Sequence, residues 1–222
     1  MGTPRVIKDD LSLRKPALRI STIVYGRENR GRKVYYLVDP RGLGSEKAIA
    51  EEVVLKRWRK RVFPNYTFHG DRLMPHCWQA LHLLLDDLPR AQLSDLTQEH
   101  IRDHIAKKSE SLGNRKRSLP AANSIHALIQ LCGVDRLQQI IDRHVAAVDG
   151  DPYGTPDLFL FACDLSGKNL MGRFVEVKRP NEDFGDTQRP EIAFLNDLGL
   201  HARVVRLIER DSPSLEAGRS SD

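Results

Sequence analysis

Apolar residues recur at helical spacing through the middle of the chain and at strand spacing on either side of it. Ala50, Val53, Val54 and Trp58 share one helix face, which predicts an amphipathic helix over residues 46–62, with Ser45 as N-cap, cations outward and Pro64 closing it. A short loop carrying His69, Gly70 and Asp71 follows. Trp78, Leu81, Leu84, Leu85 and Leu88 then form a single stripe on a second helix, opened by Pro75 and stopped by Pro89. Further helical patterns cover residues 98–108, 121–132 and 135–148, interrupted by a basic turn at 113–120.

Before and after this helical stretch the period changes. Residues 18–25 and 33–38 are short β-like runs separated by a polar stretch, read as a hairpin or irregular arm. After Gly150, residues 157–163 are almost uniformly apolar and 173–178 form a second strand pattern. Residues 187–198 read as a helix stopped at Gly199, and 202–208 as a third strand. Strand, strand, helix and strand in one stretch predict a small α/β core. The expected organisation is an arm over 1–44, a core domain over 45–210 with a helical insertion at about 72–150, and a disordered tail over 211–222, rich in serine, glycine and charge.

Composition narrows the class. The 222 residues are 40% hydrophobic and 29% charged, the balance of a globular domain. No apolar run approaches the roughly 20 residues of a membrane span and no secretory signal opens the chain, so a soluble, cytoplasmic protein without a membrane partner is expected. Cys77, Cys132 and Cys163 lack paired spacing, which argues against a disulfide framework and a zinc knuckle. The net charge of +5 is uneven. Lys56, Arg57, Arg59, Lys60 and Arg61 form one basic run and Arg115, Lys116 and Arg117 another; both suit a polyanion, and both are also what a solvated helix face looks like.

The chemistry sits in the α/β stretch. In Phe174-Val175-Glu176-Val177-Lys178, strand alternation sends Glu176 and Lys178 to one face and the valines to the other. Pro156-Asp157 stands at the mouth of the preceding strand, where Asp157 approaches the same point. Two carboxylates and an ammonium on an otherwise apolar sheet offer hard oxygen donors suited to Mg2+ or Mn2+ with a phosphodiester substrate. Each fragment alone is common; their combination, followed by Gln188 at the next helix, is not.

These residues resemble a known family. Gly154-Thr155-Pro156-Asp157-Leu158, Phe174-Val175-Glu176-Val177-Lys178, Pro180-Asn181, Gln188, Gly199 and Val204-Val205-Arg206 are similar to the VRR-NUC branch of the PD-(D/E)xK nucleases, over about residues 150–209. Upstream, residues 50–88 resemble the region before the nuclease core of Fanconi-associated nucleases, with His69-Gly70-Asp71 at a His-Gly-acid turn. The resemblance implies a restriction-endonuclease-like core, a mixed central sheet flanked by helices, with an α-helical insertion. It implies a divalent-metal-dependent deoxyribonuclease acting in repair or recombination, structure-selective for branched or flapped DNA and located where DNA is. Asp157, Glu176 and Val177 would ligate the metal, Lys178 would steer the attacking water and Gln188 would support the site. Asp71 is the favoured upstream acid, ahead of Glu51 and Glu52. Arg57, Lys60, Arg61, Arg115, Lys116, Arg117 and Arg179 are the candidate DNA contacts, and a homodimer is left open. Arg179, the block Glu182-Asp183-Phe184-Gly185 and Glu191 depart from the family's usual residues. The rival reading is a catalytically weak nucleic-acid-binding or assembly subunit that keeps the fold.

Other constellations read as structure. His100 and His104, four apart without a third ligand, are expected on an exposed helix face; Trp58 and Trp78 lie on apolar stripes and are expected in the core; His201 is expected near a helix end.

Overall fold

The computed structural model describes residues 20–25, 27–30, 33–37, 47–146 and 154–209. Its centre is a five-stranded mixed sheet. Strands β1 (Ile20–Tyr25), β2 (Arg27–Arg30), β3 (Lys33–Leu37) and β4 (Lys47–Ala48) lead into helix α1 (Ala50–Arg59) and strand β5 (Tyr66–Arg72). A helical block follows: α2 (Cys77–Leu85), α3 (Arg90–Leu93), α4 (Gln98–Lys107), α5 (Ser109–Leu112), a 3-10 helix (Gly113–Ser118), α6 (Ala122–Cys132) and α7 (Val134–Val145). The chain returns to the sheet with β6 (Leu158–Asp164), β7 (Asn169–Lys178), α8 (Gln188–Asp197) and β8 (Ala202–Glu209). The sheet order is β1-β8-β7-β6-β5, and β2-β3-β4 form a separate small antiparallel sheet. Strands β7, β8 and β1 are parallel, and β5, β6 and β7 antiparallel.

Both faces of the sheet are covered, which is why β6 reads as a continuous apolar run. Phe159, Phe161 and Phe174 face the helical block, where they meet Trp78, Leu81, Ile125 and Leu128. Leu158, Leu160, Val175, Val177, Val205 and Leu207 face α1 and its Val53, Val54 and Trp58. Helix α1 lies so close that a Cβ on Gly70 would stand 2.7 Å from Leu160 Cδ2 and 3.0 Å from Leu55 Cδ1. Both tryptophans are core residues, as expected. The three cysteines are buried and none is in a disulfide. Among the described residues no helix is long and apolar enough to cross a membrane.

The structure departs from the sequence reading in four places. The expected loop around His69-Gly70-Asp71 is the edge strand β5, paired antiparallel with β6. Its polar residues look loop-like because only part of the strand is covered. The runs at 18–25 and 33–38 do not pair with each other: β1 joins β8 in the central sheet, while β3 pairs with β2 and β4. Helix α1 starts later than expected, with Ile49 rather than Ser45 at the N-cap and no side-chain cap. His100 is exposed as expected, but His104 is half-buried. His100 closes a capping box with Thr97, and His104 Nε2 lies 2.7 Å from the Leu84 carbonyl, tying α4 to α2. The expected tail lies outside the described residues.

Candidate active site

The antiparallel register of β6 and β7 pairs Leu158 with Val175, so one step outward Asp157 stands opposite Glu176. The Val177 N–H donates to Asp157 Oδ2 at 2.7 Å, fixing that carboxylate against β7. Glu176 and Lys178, 3% and 1% exposed, extend the face that further back carries Phe174, which explains how two ionisable groups come to be buried. Lys178 Nζ lies 3.1 Å from Glu176 Oε1 and 3.7 Å from Glu182 Oε1.

Gln188, the first residue of α8, ties the group together. Its Nε2 donates to Glu176 Oε1 at 2.5 Å, and its Oε1 accepts from Lys178 Nζ at 2.5 Å and from the Gly185 N–H at 2.9 Å. One amide thereby satisfies an acid and an ammonium at once, as only a group with both donor and acceptor can. Gly154 gives it room: a Cβ there would stand 3.1 Å from Gln188 Cγ. Helix α8 is anchored from behind by Glu191, a fully buried carboxylate 3.0 Å from both His144 Nε2 and Arg143 Nε on α7.

The electrostatics are unbalanced. Burial pushes the Glu176 carboxyl up to about 7, with the neighbouring Asp157 charge adding to the rise and Lys178 opposing it. Burial likewise raises Asp157 to about 6; the Val177 N–H opposes this, and the charge of Glu51 adds to it. Glu51 arrives from the first turn of α1, and its Oε2 is buried without a partner. Asp157, Glu176 and Glu51 therefore bring several negative charges to a desolvated spot with one ammonium, which is the donor chemistry of a hard divalent cation. Among the described residues no cluster of three or more such side chains already stands in metal-binding geometry.

Of the upstream acids weighed from the sequence, Asp71 is engaged elsewhere. Its Oδ2 accepts from the Ala121 N–H at 2.6 Å, at the start of α6, and its Oδ1 from the Arg72 N–H at 3.0 Å. It joins the edge strand to the helical block, and Glu51 is the acid whose charge acts on Asp157. Glu182 and Glu191 carry no motif, and the sequence marks them only as departures from the family's usual residues. Arg179 is exposed beside the site, its N–H bonded to Glu182 Oε2. Arg57, Lys60 and Arg61 lie exposed at the far end of α1; Arg115, Lys116 and Arg117 are exposed on the 3-10 helix, on the other side of the sheet.

With this geometry in place, the profile of the VRR-NUC domain matches residues 94–207, just over half of the sequence and the whole of β6 to α8. The chain belongs to the VRR-NUC domain family. The match begins just after α3 and so takes in most of the helical block as part of the VRR-NUC unit. Among solved structures, the chain is similar to paFAN1 bound to 2nt 5'flap DNA with gap, with a TM-score of 0.54 at 14% identity. It is also similar to paFAN1 bound to 1nt 5'flap DNA with gap, with a TM-score of 0.50 at 13% identity. Each likeness covers 88% of this chain and 38% of the solved one, and is a likeness of fold. The chain thus has the restriction-endonuclease-like core expected from its motifs. No curated protein matches the sequence.

Proposed function

We propose that this VRR-NUC protein hydrolyses DNA phosphodiester bonds with a divalent cation, acting on flapped or branched DNA. The observation that carries the reading is the pair of Asp157, half-buried, and Glu176, buried, side by side at the head of β6 and β7, with Gln188 bridging Glu176 to Lys178. A structural ion pair would balance its charge; this group leaves Glu51 Oε2 buried and unpartnered beside it. The flap DNA bound to the structural neighbours supports the substrate class; on this reading the protein works on DNA inside the cell, in repair or recombination.

Glu51, Asp157, Glu176 and the carbonyl of Val177 would hold Mg2+ or Mn2+. When bound, the ion supplies Lewis acidity at the phosphate and a water of lowered pKa. Lys178 orients the attacking water and offsets charge gathering on the phosphate oxygens, while Gln188 holds Lys178 and Glu176 in register. The water oxygen bonds to phosphorus and the bond to the 3′ oxygen breaks, leaving a 5′-phosphate and a 3′-hydroxyl. Burial keeps the lysine ammonium and the carboxylates from reorganising through solvent as charge moves. The test is cleavage of end-labelled flap and four-way-junction DNA by the purified chain with Mg2+, Mn2+ or EDTA. Products in the metal lanes that disappear with EDTA and in Lys178→Ala support the reading; uncut DNA in every lane refutes it.

A further inference from the structure

The corner beyond the C-terminus of α1 has a composition that the fold does not require. From Arg61 the chain turns through Phe63-Pro64-Asn65-Tyr66, closed by the Tyr66 N–H donating to the Phe63 carbonyl at 3.1 Å. Proline at the second position and a left-handed residue, Asn65 at φ 67°, at the third are the residues of a type II turn. This tight turn holds two large rings in water: Phe63 is 60% exposed and Tyr66 38%. Their centroids lie 5.2 Å apart at 64°, edge against face, so the pair is prearranged rather than loose.

Behind the turn, cations gather on one indole. Trp58 is fixed in the core by its Nε1 donating to the His69 carbonyl at 2.7 Å and by an edge contact with Phe68. The Arg61 guanidinium lies 4.6 Å and the Arg173 guanidinium 4.9 Å from the Trp58 ring centroid. Arg203 shares the α1 side of the sheet, its position paired with Val175 two residues along from Arg173. Among the described residues no carboxylate forms a salt bridge with Arg57, Arg61, Arg173 or Arg203. Burial and then the charges of Arg203 and Arg61 push Arg173 below the ordinary arginine value, and burial and Arg57 do the same to Arg61. Guanidiniums held together on an aromatic ring with no acid among them form an anion site.

Exposed, prearranged rings beside clustered guanidiniums match one kind of polymer, a single-stranded nucleic acid, which offers base faces and phosphates together. We propose that this corner is a second DNA site, separate from the hydrolytic centre, that takes unpaired strand by stacking a base on Phe63 and Tyr66 and pairing phosphates with Arg61, Arg173 and Arg203. Arg173 and Lys178 are five residues apart on β7, roughly 17 Å at strand spacing, and they face opposite sides of the sheet. The corner therefore does not line the catalytic pocket. The inference rests on the reading that the substrate is DNA, and it names the part of a flap or branch that this corner would hold.

The experiment measures anisotropy of fluorescein-labelled twelve-nucleotide oligo(dT) with the full chain in EDTA, across a salt series. The expected result is that Phe63→Ala combined with Tyr66→Ala weakens binding by about tenfold at every salt concentration, as removal of a base stack does. Arg61→Gln combined with Arg173→Gln and Arg203→Gln should flatten the slope of log K against log salt by about one unit for each phosphate that is no longer paired. Both ring residues are exposed, so the first variant tests binding without removing core. Wild-type affinity in the double alanine variant overturns the proposal. So does a change in its oligomeric state by light scattering, which would make the corner a contact between copies of the chain. Hydrolysis of bis(4-nitrophenyl) phosphate with Mn2+ by the unmodified chain reads the hydrolytic centre alone. Turnover of that diester without oligo(dT) binding overturns the second site only, and oligo(dT) binding without turnover overturns the hydrolytic reading only.

Discussion

The two ends of α1 pose opposite electrostatic problems. At its N-terminus, Glu51 joins Asp157 and Glu176, whose carboxyls are raised by burial, with the charge of Glu51 adding to the rise of Asp157 and the charge of Asp157 to that of Glu176. At its C-terminus, Arg61, Arg173 and Arg203 converge on the Trp58 side of the sheet, and the guanidiniums of Arg61 and Arg173 are depressed by burial and by neighbouring cations. Each end carries an excess of one sign of charge in partly dehydrated surroundings, and the ligand proposed for each is of the other sign. The difference lies in how they are held. The acidic end is knit by the short bonds of Gln188 and Val177, which suits chemistry at a defined point. The basic end is held by ring contacts rather than by acids, which leaves its cations to pair with a polymer.

The comparison breaks most visibly at the acidic end. Lys178→Ala and Glu176→Ala should each lower the cleavage rate by about a thousandfold or more, in the range of removing one electrostatic group from a hydrolytic site. A circular dichroism spectrum and a salt-dependent DNA affinity close to wild type would show that the loss is catalytic. Cleavage at an undiminished rate in either variant would remove both residues from the site.

Glu51 and Asp71 separate two kinds of acid. Glu51→Gln should cut turnover by about a hundredfold, as expected for a weakened ligand shell, and leave thermal stability unchanged or higher. Asp71→Ala should keep turnover and lose stability by about 1 kcal/mol, from the unpaired N–H of Ala121. The opposite pattern would return Asp71 to the metal. The buried Glu191 gives a third contrast: Glu191→Ala should destabilise by about 3–5 kcal/mol, because it removes the acid that His144 and Arg143 share in a buried ion pair. Chemical denaturation gives the number, and a loss under about 1 kcal/mol would mean that α8 is anchored by other contacts.

The smallest effect is the pH dependence of the metal-free protein. Glu176 and Asp157 rise from ordinary values of 4.5 and 3.8 to about 7 and about 6, so between about pH 4 and pH 7 the folded state binds more protons than the unfolded chain. Their contribution to stability is then fully present below about pH 4 and lost as pH rises through about 7. Melting curves in EDTA should show this slope reduced in Asp157→Asn relative to wild type, and added Mg2+ should restore stability at about pH 8, where both carboxyls are ionised. An identical pH slope in wild type and variant would show that Asp157 is not the titrating partner.

The candidate catalytic strand was readable because its chemistry is local. Alternation along β7 places Glu176 and Lys178 together, and an apolar strand opened by Asp157 leaves few places for that acid to go. Helices α1, α2, α4, α6 and α7 were readable from their stripes for the same reason. Edge strand β5 was not, since a half-covered strand carrying His69, Gly70 and Asp71 has no clean alternation. Choosing among Asp71, Glu51 and Glu52 was equally out of reach. All three are plausible by context, and what separates them is that α6 takes up Asp71 through the Ala121 N–H while the first turn of α1 brings the charge of Glu51 to Asp157.

The sequence alone therefore determined the candidate group Asp157, Glu176, Lys178 and Gln188, the family resemblance, and the order of the main helices and of strands β6, β7 and β8 around it. These follow from spacings of a few residues, where the period of a strand or helix dictates which side chains share a face. Tertiary structure decided the rest: β1 beside β8 from the far end of the chain, Asp71 taken up by the Ala121 N–H while the charge of Glu51 reaches Asp157, Glu191 buried against His144 and Arg143, and Arg173 and Arg203 brought to the same side as Arg61 and Trp58. Each of these is a contact between distant segments, set by how sheet and helices cover one another's apolar faces, and no local period encodes which charged residues that packing will bring together.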